Sequence, residues 1–599
     1  MKGEQPAPAS ADRRPGWLPL ALLIGLTAIA YLPSLANGFV WDDDISLTQN
    51  PYIRSGAGLR QFWLTTQTPD YWPVTATTLW AEWRLWGMNP LGYHVTNLSL
   101  HIAEALLLWT VLRRLRLPGA WLAALLFALH PVNVESVAWI TQRKNLMAML
   151  FYLLSVFWIL RTRWYDGGVG TTRATSEPEP FYWLSLIAFA LAMLSKGSVA
   201  VLPVILLGMI AWRRRIELRD LIGLLPFFFV AGGLTLVDVW FQGHHLAATE
   251  TIRTAGAVER LLGAGAVVGF YLYKVLLPIH LTLPYPLWRI EPGRLVWWLP
   301  LLAAMGLTGL LWFGARRHPR TARLRSLDAS YAVAISASRS DGRNWWRAAL
   351  FAWGYFCVAL IPVMGFTDVY FMKFSLVADH YQHLAIIGVT ALAGAGWAEW
   401  RCRVRGSGPL ALAALMACVL GGLTWRQCLR YRDAETFFVA AVREAPGSAM
   451  AQGNLGMILG GQQRLPEAMT HLEEALRLDP GYAEAHTNLG ALLVGQGRIA
   501  EGEAHYRAAV RLKPDLFVAH LNLGSILLHQ GRLAEARSEL QEAVRLKPSF
   551  AEAHGMLGDV FLRLDRLPEA VGEYEAALRL KPDLPAVRAQ LERAKGSGR

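Results

Sequence analysis

Between Trp17 and Trp425 the chain is a succession of long apolar runs, and no other feature restricts its fold as much. A helix needs about 20 apolar residues to cross a hydrocarbon layer, and its backbone groups must be satisfied within the segment. Each run therefore predicts a spanning helix. The runs cover about 17 to 35, 95 to 112, 119 to 137, 145 to 161, 181 to 194, 198 to 212, 220 to 241, 295 to 314, 346 to 366, 381 to 399 and 408 to 425. One more, about 260 to 278, is ambiguous. With 54% hydrophobic and 17% charged residues and 25 Trp in 599 positions, the chain is too apolar for a soluble protein of this size. An integral, multi-pass membrane protein is expected. From Arg432 onward the sequence is charged and Ala-rich with no run of membrane length, so a second domain of different solvent preference follows.

The arginine clusters assign sides. Basic residues near span ends are retained in the cytoplasm. That rule places Arg13/Arg14, Arg113/Arg114/Arg116, Arg161/Arg163, Arg213/Arg214/Arg215, Arg316/Arg317/Arg320/Arg323 and Arg401/Arg403/Arg405 inside. Any two clusters must then be separated by an even number of crossings. Counting 260 to 278 as a full span breaks this between Arg215 and Arg316, so that segment is expected to be interfacial or re-entrant on the outer side. About 11 crossings result, with a cytoplasmic tail at 1–16, a transmembrane domain at 17–425, a long first outer loop at 36–93 and the C-terminal domain outside. The outer side is a bacterial periplasm, the domain sitting in the inner membrane, or an endoplasmic reticulum lumen if the chain is eukaryotic. The same clusters account for the net charge of +13, so no nucleic-acid partner is read from it. The first run is too long for a signal-peptide core and lacks a clear cleavage site, and is expected to be a retained anchor. Cys357, Cys402, Cys418 and Cys428 show neither metal-ligand nor disulfide spacing and are read as packing residues.

Four polar groups fall at predicted outer span ends. Asp42, Asp43 and Asp44 follow the first span directly, flanked by Phe39, Val40 and Trp41. A solvated loop is the competing reading, but carboxylates held at a membrane surface can deprotonate a hydroxyl or hold a cation. On the second span, His94, Asn97, His101 and Glu104 recur at steps of three and four and share one helix face. Inter-helix hydrogen bonding explains that stripe as well as substrate contact does. His94 and His101 lie about 10.5 Å apart along the axis at 1.5 Å per residue, too far to ligate one metal, and no metal ligands are assigned. His130-Pro131-Val132-Asn133-Val134-Glu135 closes the third span, with Arg143 and Lys144 after it. These two cations, and Lys196, sit outside against the retention rule, and an anionic phosphate headgroup would account for them. Asp379, His380 and Tyr381 mark the start of the penultimate run. Together these groups describe a chamber for a phosphate-bearing lipid and a polar acceptor.

The C-terminal part repeats itself. Pro446, Pro480, Pro514, Pro548 and Pro582 are spaced by 34 residues, as are Glu467, Glu501, Glu535 and Glu569, Ala475, Ala509, Ala543 and Ala577, and Gly456, Gly490, Gly524 and Gly558. A helix-turn-helix unit of this period, with small residues at helix crossings and proline after the second helix, is the tetratricopeptide pattern. Four repeats are expected over 448–584, preceded by a joining segment with a half-repeat helix at 426–447 and followed by a capping helix and tail at 585–599. Such solenoids present a groove to extended peptides. Asn454, Asn488 and Asn522, in the repeated Asn-Leu-Gly, could line it, although a hydrogen bond repeated with the scaffold explains them equally well.

The order Phe39-Val40-Trp41-Asp42-Asp43, Tyr93-His94-Val95-Thr96-Asn97, His101, His130-Pro131-Val132-Asn133-Val134-Glu135-Ser136-Val137-Ala138-Trp139, Arg143-Lys144, Ser195-Lys196 and Ala378-Asp379-His380-Tyr381, with the repeats behind it, resembles the transmembrane-and-tetratricopeptide O-mannosyltransferase family and its bacterial relatives, which are GT-C glycosyltransferases. The resemblance covers nearly the whole chain. It implies a polytopic enzyme that uses a polyprenyl-phosphate-linked sugar on the outer leaflet, with the catalytic carboxylate falling on Asp42 or Asp43. His380 stands where relatives usually carry arginine, and His383 and Ala385 replace more typical residues after it.

The expected fold is all-α, a GT-C-type transmembrane helical domain followed by a tetratricopeptide α-solenoid. The expected activity is inverting transfer of a sugar, mannose-like by resemblance, to a hydroxyl of a protein, peptide or other acceptor held by the repeats. Asp42 or Asp43 would be the base. Arg143, Lys144, Lys196 and His380 would bind the donor phosphate, with His94, Asn97, His101, His130, Glu135, Asp379 and Tyr381 shaping the site. Positioned cations can stabilise a phosphate leaving group, so no metal is required, though a divalent cation could assist. A non-catalytic membrane-anchored scaffold whose repeats recruit outer-compartment partners is the alternative. A transporter fits less well, because its sites lie near the bilayer midplane.

Overall fold

The computed structural model describes residues 16–66, 68, 70–162, 180–245, 253–317, 343–367, 370–404 and 406–597. Arg13, Arg14, Arg163, Arg320, Arg323 and Arg405, and the tail through residue 15, lie outside the described residues. The described residues are helical with no strand. They form two compact units that divide between Phe437 and Phe438.

In the first unit a helix occupies each predicted run: α1 (Trp17–Tyr31), then, after the first loop, α3 (Pro90–Arg114), the pair α4 (Ala120–Ala128) and α5 (Val134–Ala138), α6 (Arg143–Ile159), α7 (Pro180–Ser195), α8 (Leu202–Arg213), α9 (Leu218–His245), α11 (Trp298–Arg317), α12 (Arg343–Leu360), α13 (Ile386–Arg403) and α14 (Gly408–Cys428). Six of these are long and apolar enough to cross a membrane singly, and a seventh span results if the bent α4–α5 pair counts as one. Local chemistry sets the ends. Asn89 caps α3 by accepting the Leu91 N–H at 3.1 Å, with Pro90 at the first position and Arg113 and Arg114 in the last turn, where cations suit the carbonyl end.

The run expected at 119 to 137 is not a straight helix. Its two halves meet at 52°. Pro131 has no N–H to continue α4, and His130 turns extended and accepts the Val132 N–H on its own ring, at 3.4 Å. Gly119 starts α4 with φ +70, where a Cβ would lie 1.9 Å from the Gly394 carbonyl oxygen, so only glycine lets α4 and α13 approach there.

The first loop, between α1 and α3, is folded rather than open. Short helices at Pro51–Arg54 and Gly58–Leu64 and the longer α2 (Pro73–Trp86) enclose buried Leu47, Ile53, Phe62 and Leu79 against Tyr93 and Ile140.

Helix α10 (Ala257–Leu276), over the ambiguous run, is tied to one end of the bundle at both of its own ends. Arg260 donates to the Gly365 carbonyl at 3.2 Å, and Tyr271 exchanges hydrogen bonds with Ala378 while the Val275 carbonyl accepts from His130. Gly265 and Gly269 approach the first turn of α11, at Leu301 and Pro300. At the same end α14 passes into the joining segment. Asn37 donates to the Cys428 carbonyl at 3.2 Å, Gly38 N–H donates to Arg432 O at 2.8 Å, and Arg430 donates to Leu281 O at 2.8 Å.

The helix α15 (Ala434–Glu444) straddles the division between the units. The second unit carries four helix pairs: α16 (Ala449–Gly461) with α17 (Leu465–Leu478), α18 (Ala483–Gly495) with α19 (Ile499–Leu512), α20 (Phe517–His529) with α21 (Leu533–Leu546), and α22 (Ala551–Arg563) with α23 (Leu567–Leu580), closed by α24 (Pro585–Ser597). The 34-residue signals have direct causes. A Cβ on Gly456, Gly490, Gly524 or Gly558 would come within 2.6–2.9 Å of Leu472, Tyr506, Leu540 or Tyr574, so the two helices of each pair cross on bare backbone. Glu467, Glu501, Glu535 and Glu569 each pair with the arginine three residues earlier. The repeated His486, His520 and His554 reach back to the carbonyls of Pro480, Pro514 and Pro548.

Candidate active site

The acidic turn follows the end of α1. Trp41 adopts φ +49, a left-handed conformation rare for a bulky residue, and stacks on Trp139 with centroids 5.2 Å apart. That kink separates the two carboxylates. Asp43 is buried and folds inward: Oδ2 accepts the Val40 N–H at 2.9 Å and Oδ1 the Thr141 N–H at 3.0 Å. Asp42 stays half-buried and accepts the Thr141 hydroxyl at 2.8 Å through Oδ1. Burial pushes Asp43 up to about 8, helped by the charge of Asp42 and opposed by its two backbone donors. Burial also raises Asp42, while Lys144 and the Thr141 hydroxyl favour its charged form. Asp44 is exposed and holds Thr48 at 2.9 Å, as part of the next turn.

Arg143 does not face open space. Its guanidinium is wholly buried, ion-paired with Glu82 of α2, and it donates to Asn97 Oδ1 at 2.8 Å and to the Tyr93 carbonyl at 2.9 Å. The expectation assigns it to the donor phosphate; three of its five N–H groups are engaged within the fold instead. Asn97 in turn donates to Val137 O at 3.2 Å. The neighbouring His94 is buried, and neither ring nitrogen has a hydrogen bond.

Asn145, Lys196, Ser198, His380, Tyr381 and His383 are among the residues that line a small cavity. Lys196, in the turn after α7, donates to Asn145 Oδ1 at 2.5 Å and lies 5.4 Å from the Tyr381 ring centre. Burial, together with the charge of Lys144, lowers Lys196 to about 7, against the pull of Glu135, Asp70 and Asp238. Lys144 is thus within electrostatic reach of Asp42 on one side and of Lys196 and His380 on the other, and it packs 4.1 Å from the Trp72 ring centre. His380 gives its backbone N–H to Glu135 Oε2 at 3.1 Å, and its Nδ1 pairs with Glu135 Oε1. Burial, then Lys196 and Lys144, hold the His380 ring well below its ordinary range, so it offers a neutral imidazole. A second, apolar cavity is bordered by α6, α12 and α13 and reaches Tyr152, Phe351, Tyr355 and Ile387.

His130, Asp379 and His101 do not line the cavity of Lys196 and His380. His130 donates to the Val275 carbonyl at 2.9 Å, fixing the elbow to α10. Asp379 is buried behind the cavity wall and accepts the Tyr285 hydroxyl at 3.0 Å. His101 lies deeper in α3, bonded to the Ala128 carbonyl at 3.0 Å and to Glu104 at 3.2 Å, with His383 on the other side of Glu104 at 3.3 Å. In the repeats Asn454 bonds its own helix at Met450 O, 2.9 Å away, and Asn522 bonds Tyr506. Asn488 is half-buried.

Sequence reading missed Thr141, Glu82 and Asn145. Thr141 and Asn145 flank Arg143 and Lys144 and could have been proposed from that adjacency. Glu82 carries no local signal, being one acidic residue on an aromatic-rich helix.

Tetratricopeptide repeat models match residues 487–549 and 521–585, and a TPR repeat model matches 461–497. The chain is similar to protein O-mannosyl-transferase F38B6.6 of Caenorhabditis elegans, 33% identical over 172 residues, which are 26% of this chain and 25% of that protein. To human protein O-mannosyl-transferase TMTC1 it is 35% identical over 193 residues, 29% of this chain and 21% of the relative. To Drosophila melanogaster protein O-mannosyl-transferase Tmtc1 it is 26% identical over 542 residues, 75% and 60% of the two. The similarity thus spans about a quarter of the first two relatives and 60% of the third. In its sequence relatives the chain is similar to protein O-mannosyl-transferases, and its C-terminal part matches tetratricopeptide repeat models.

Proposed function

We propose that this protein is a membrane glycosyltransferase that moves a mannose-like sugar from a polyprenyl phosphate to a hydroxyl of a protein acceptor, on the non-cytoplasmic face. The observation that carries the reading is the Asp42 carboxylate, held by the Thr141 hydroxyl and within electrostatic reach of Lys144, near the cavity that Lys196 and His380 line. Asp42, held by Thr141 and half-buried, is placed to take a proton, whereas both oxygens of Asp43 are engaged by backbone N–H groups. Asp42 is therefore the base and Asp43 the residue that positions the turn.

In the reaction the acceptor oxygen attacks the anomeric carbon, the carbon–oxygen bond to the phosphate breaks with inversion, and the hydroxyl proton passes to Asp42. The lipid phosphate leaves with the bonding electrons. Lys144 and Lys196 neutralise it, and neutral His380 contributes a hydrogen bond rather than a charge. The apolar cavity suits the first isoprene units of the donor. The side assignment rests on Arg113/Arg114, Arg161, Arg213, Arg316/Arg317 and Arg401/Arg403, which all occupy the helix ends opposite the site. The repeats would present the acceptor.

The test is turnover of a mannosyl-phosphoryl polyprenol by purified protein carrying Asp42→Asn or Asp43→Asn. Loss of about 100-fold or more in Asp42→Asn supports the assignment, and full activity in that variant removes it.

A further inference from the structure

We propose that His101, Glu104 and His383 form a site for one transition-metal dication of the zinc type, buried in the membrane unit and independent of the transfer reading. The three side chains are fully buried or nearly so, and their ligand atoms lie within 4.8 Å of one another. His101 and Glu104 are one turn apart on α3, and His383 arrives from the start of α13.

The proton inventory points to a cation. His101 Nε2 lies 3.0 Å from the Ala128 carbonyl, which can only accept, so that nitrogen carries the hydrogen. His383 Nδ1 lies 2.8 Å from Asn133 Oδ1, and the Asn133 amide is oriented by its own donation to Phe127 O at 2.8 Å, so His383 Nδ1 also carries its hydrogen. In the neutral rings His101 Nδ1 and His383 Nε2 are then lone pairs, and both are aimed at Glu104 Oε2, at 3.2 and 3.3 Å. One proton on Glu104 can satisfy a single one of these contacts. Glu104 Oε1 has no hydrogen bond although the residue is completely buried. A metal ion satisfies all three atoms at once.

The spacing also fits. Bonds of about 2.0–2.1 Å in a tetrahedral shell set ligand atoms about 3.3–3.4 Å apart. Each imidazole donates its other N–H to an oxygen, the arrangement that orients metal-bound histidines. Tyr31, packed 5.1 Å from the His101 ring, brings a buried hydroxyl with no hydrogen bond to the same place. Two imidazoles and one carboxylate favour zinc over calcium or magnesium. An ion here would pin α3, the elbow after α4 and the start of α13 together.

The experiment uses full-length protein purified in detergent through a tag without histidine, with metal content measured per chain. The expected result is one zinc per chain in the parent, reduced at least fivefold in Glu104→Gln and His383→Gln. Cobalt added to protein stripped by chelator should give the visible bands of a tetrahedral site. If neither variant can be recovered folded, X-ray absorption on the parent decides, and fewer than two imidazole ligands overturns the proposal. A parent with no bound metal and no cobalt bands also overturns it, and leaves a shared proton among the three groups. Retention of metal by both variants places the ion elsewhere and refutes the site.

Discussion

Replacing Thr141 by valine tests the hydroxyl that binds Asp42. Valine keeps the β-branched shape and the backbone N–H that binds Asp43, and removes only the hydroxyl that Asp42 accepts at 2.8 Å. A hydrogen bond to a charged group contributes about 1.5–3 kcal/mol. If that energy holds Asp42 in its reactive orientation, kcat/KM falls by about 10- to 150-fold, each 1.36 kcal/mol being a factor of ten. A second signature accompanies the loss. The hydroxyl favours ionised Asp42, so its removal raises the Asp42 pKa further, and the acidic limb of the pH–rate profile moves to higher pH. Sugar transfer from a mannosyl-phosphoryl polyprenol, followed across pH in detergent with Thr141→Ser as the control that restores the hydroxyl, measures both. Parent-like rate and limb in Thr141→Val would refute the assignment of Asp42 as base.

Other perturbations test the rest of the site. Lys196, lowered to about 7, is charged below that pH and neutral above it, so kcat/KM should decline as pH rises through about 7. Lys196→Arg, which stays charged, should abolish that decline. Glu82→Gln strips the carboxylate from buried Arg143 and should destabilise the membrane unit by about 3–5 kcal/mol, seen as a lower Tm in detergent, with partial recovery when Arg143→Met is added. Gly119→Ala must displace the Gly394 backbone and should sharply reduce the folded yield by size-exclusion chromatography, whereas Gly232→Ala, with open space around it, should not.

The repeats were legible because their code is local: the glycine and the residue it meets lie 16 positions apart, and the arginine–glutamate pairs three apart. The acidic turn was legible for a similar reason, since charge directly after an apolar run is conspicuous in one short window. What escaped notice depends on contacts distant in sequence. Thr141 selects between Asp42 and Asp43 from 98 and 99 residues away, Glu82 neutralises Arg143 from 61, and His383 meets Glu104 from 279. Arg143 and Lys144 look alike in sequence, yet one is locked into the fold while the other is half-exposed beside Asp42. The elbow was missed because hydropathy averages over Pro131, where the backbone donor is absent. Distance along α3 set His94 apart from His101, and gave no sign of His383, which lies just before α13 and reaches Glu104.

The hydrogen bonds from Asn37 and Gly38 to Cys428 and Arg432 also order events during synthesis. The acidic turn leaves the ribosome about 390 residues before the chain that braces it, since Asn37 and Cys428 are separated by 391 positions. At roughly 5–20 residues per second this is a wait of about 20–80 s. Thr141 follows within about 5–20 s on the same scale. The carboxylates are thus clasped early by Thr141, just before α6, and locked late by the end of α14, so the site reaches its final geometry only when the last membrane helix has been inserted.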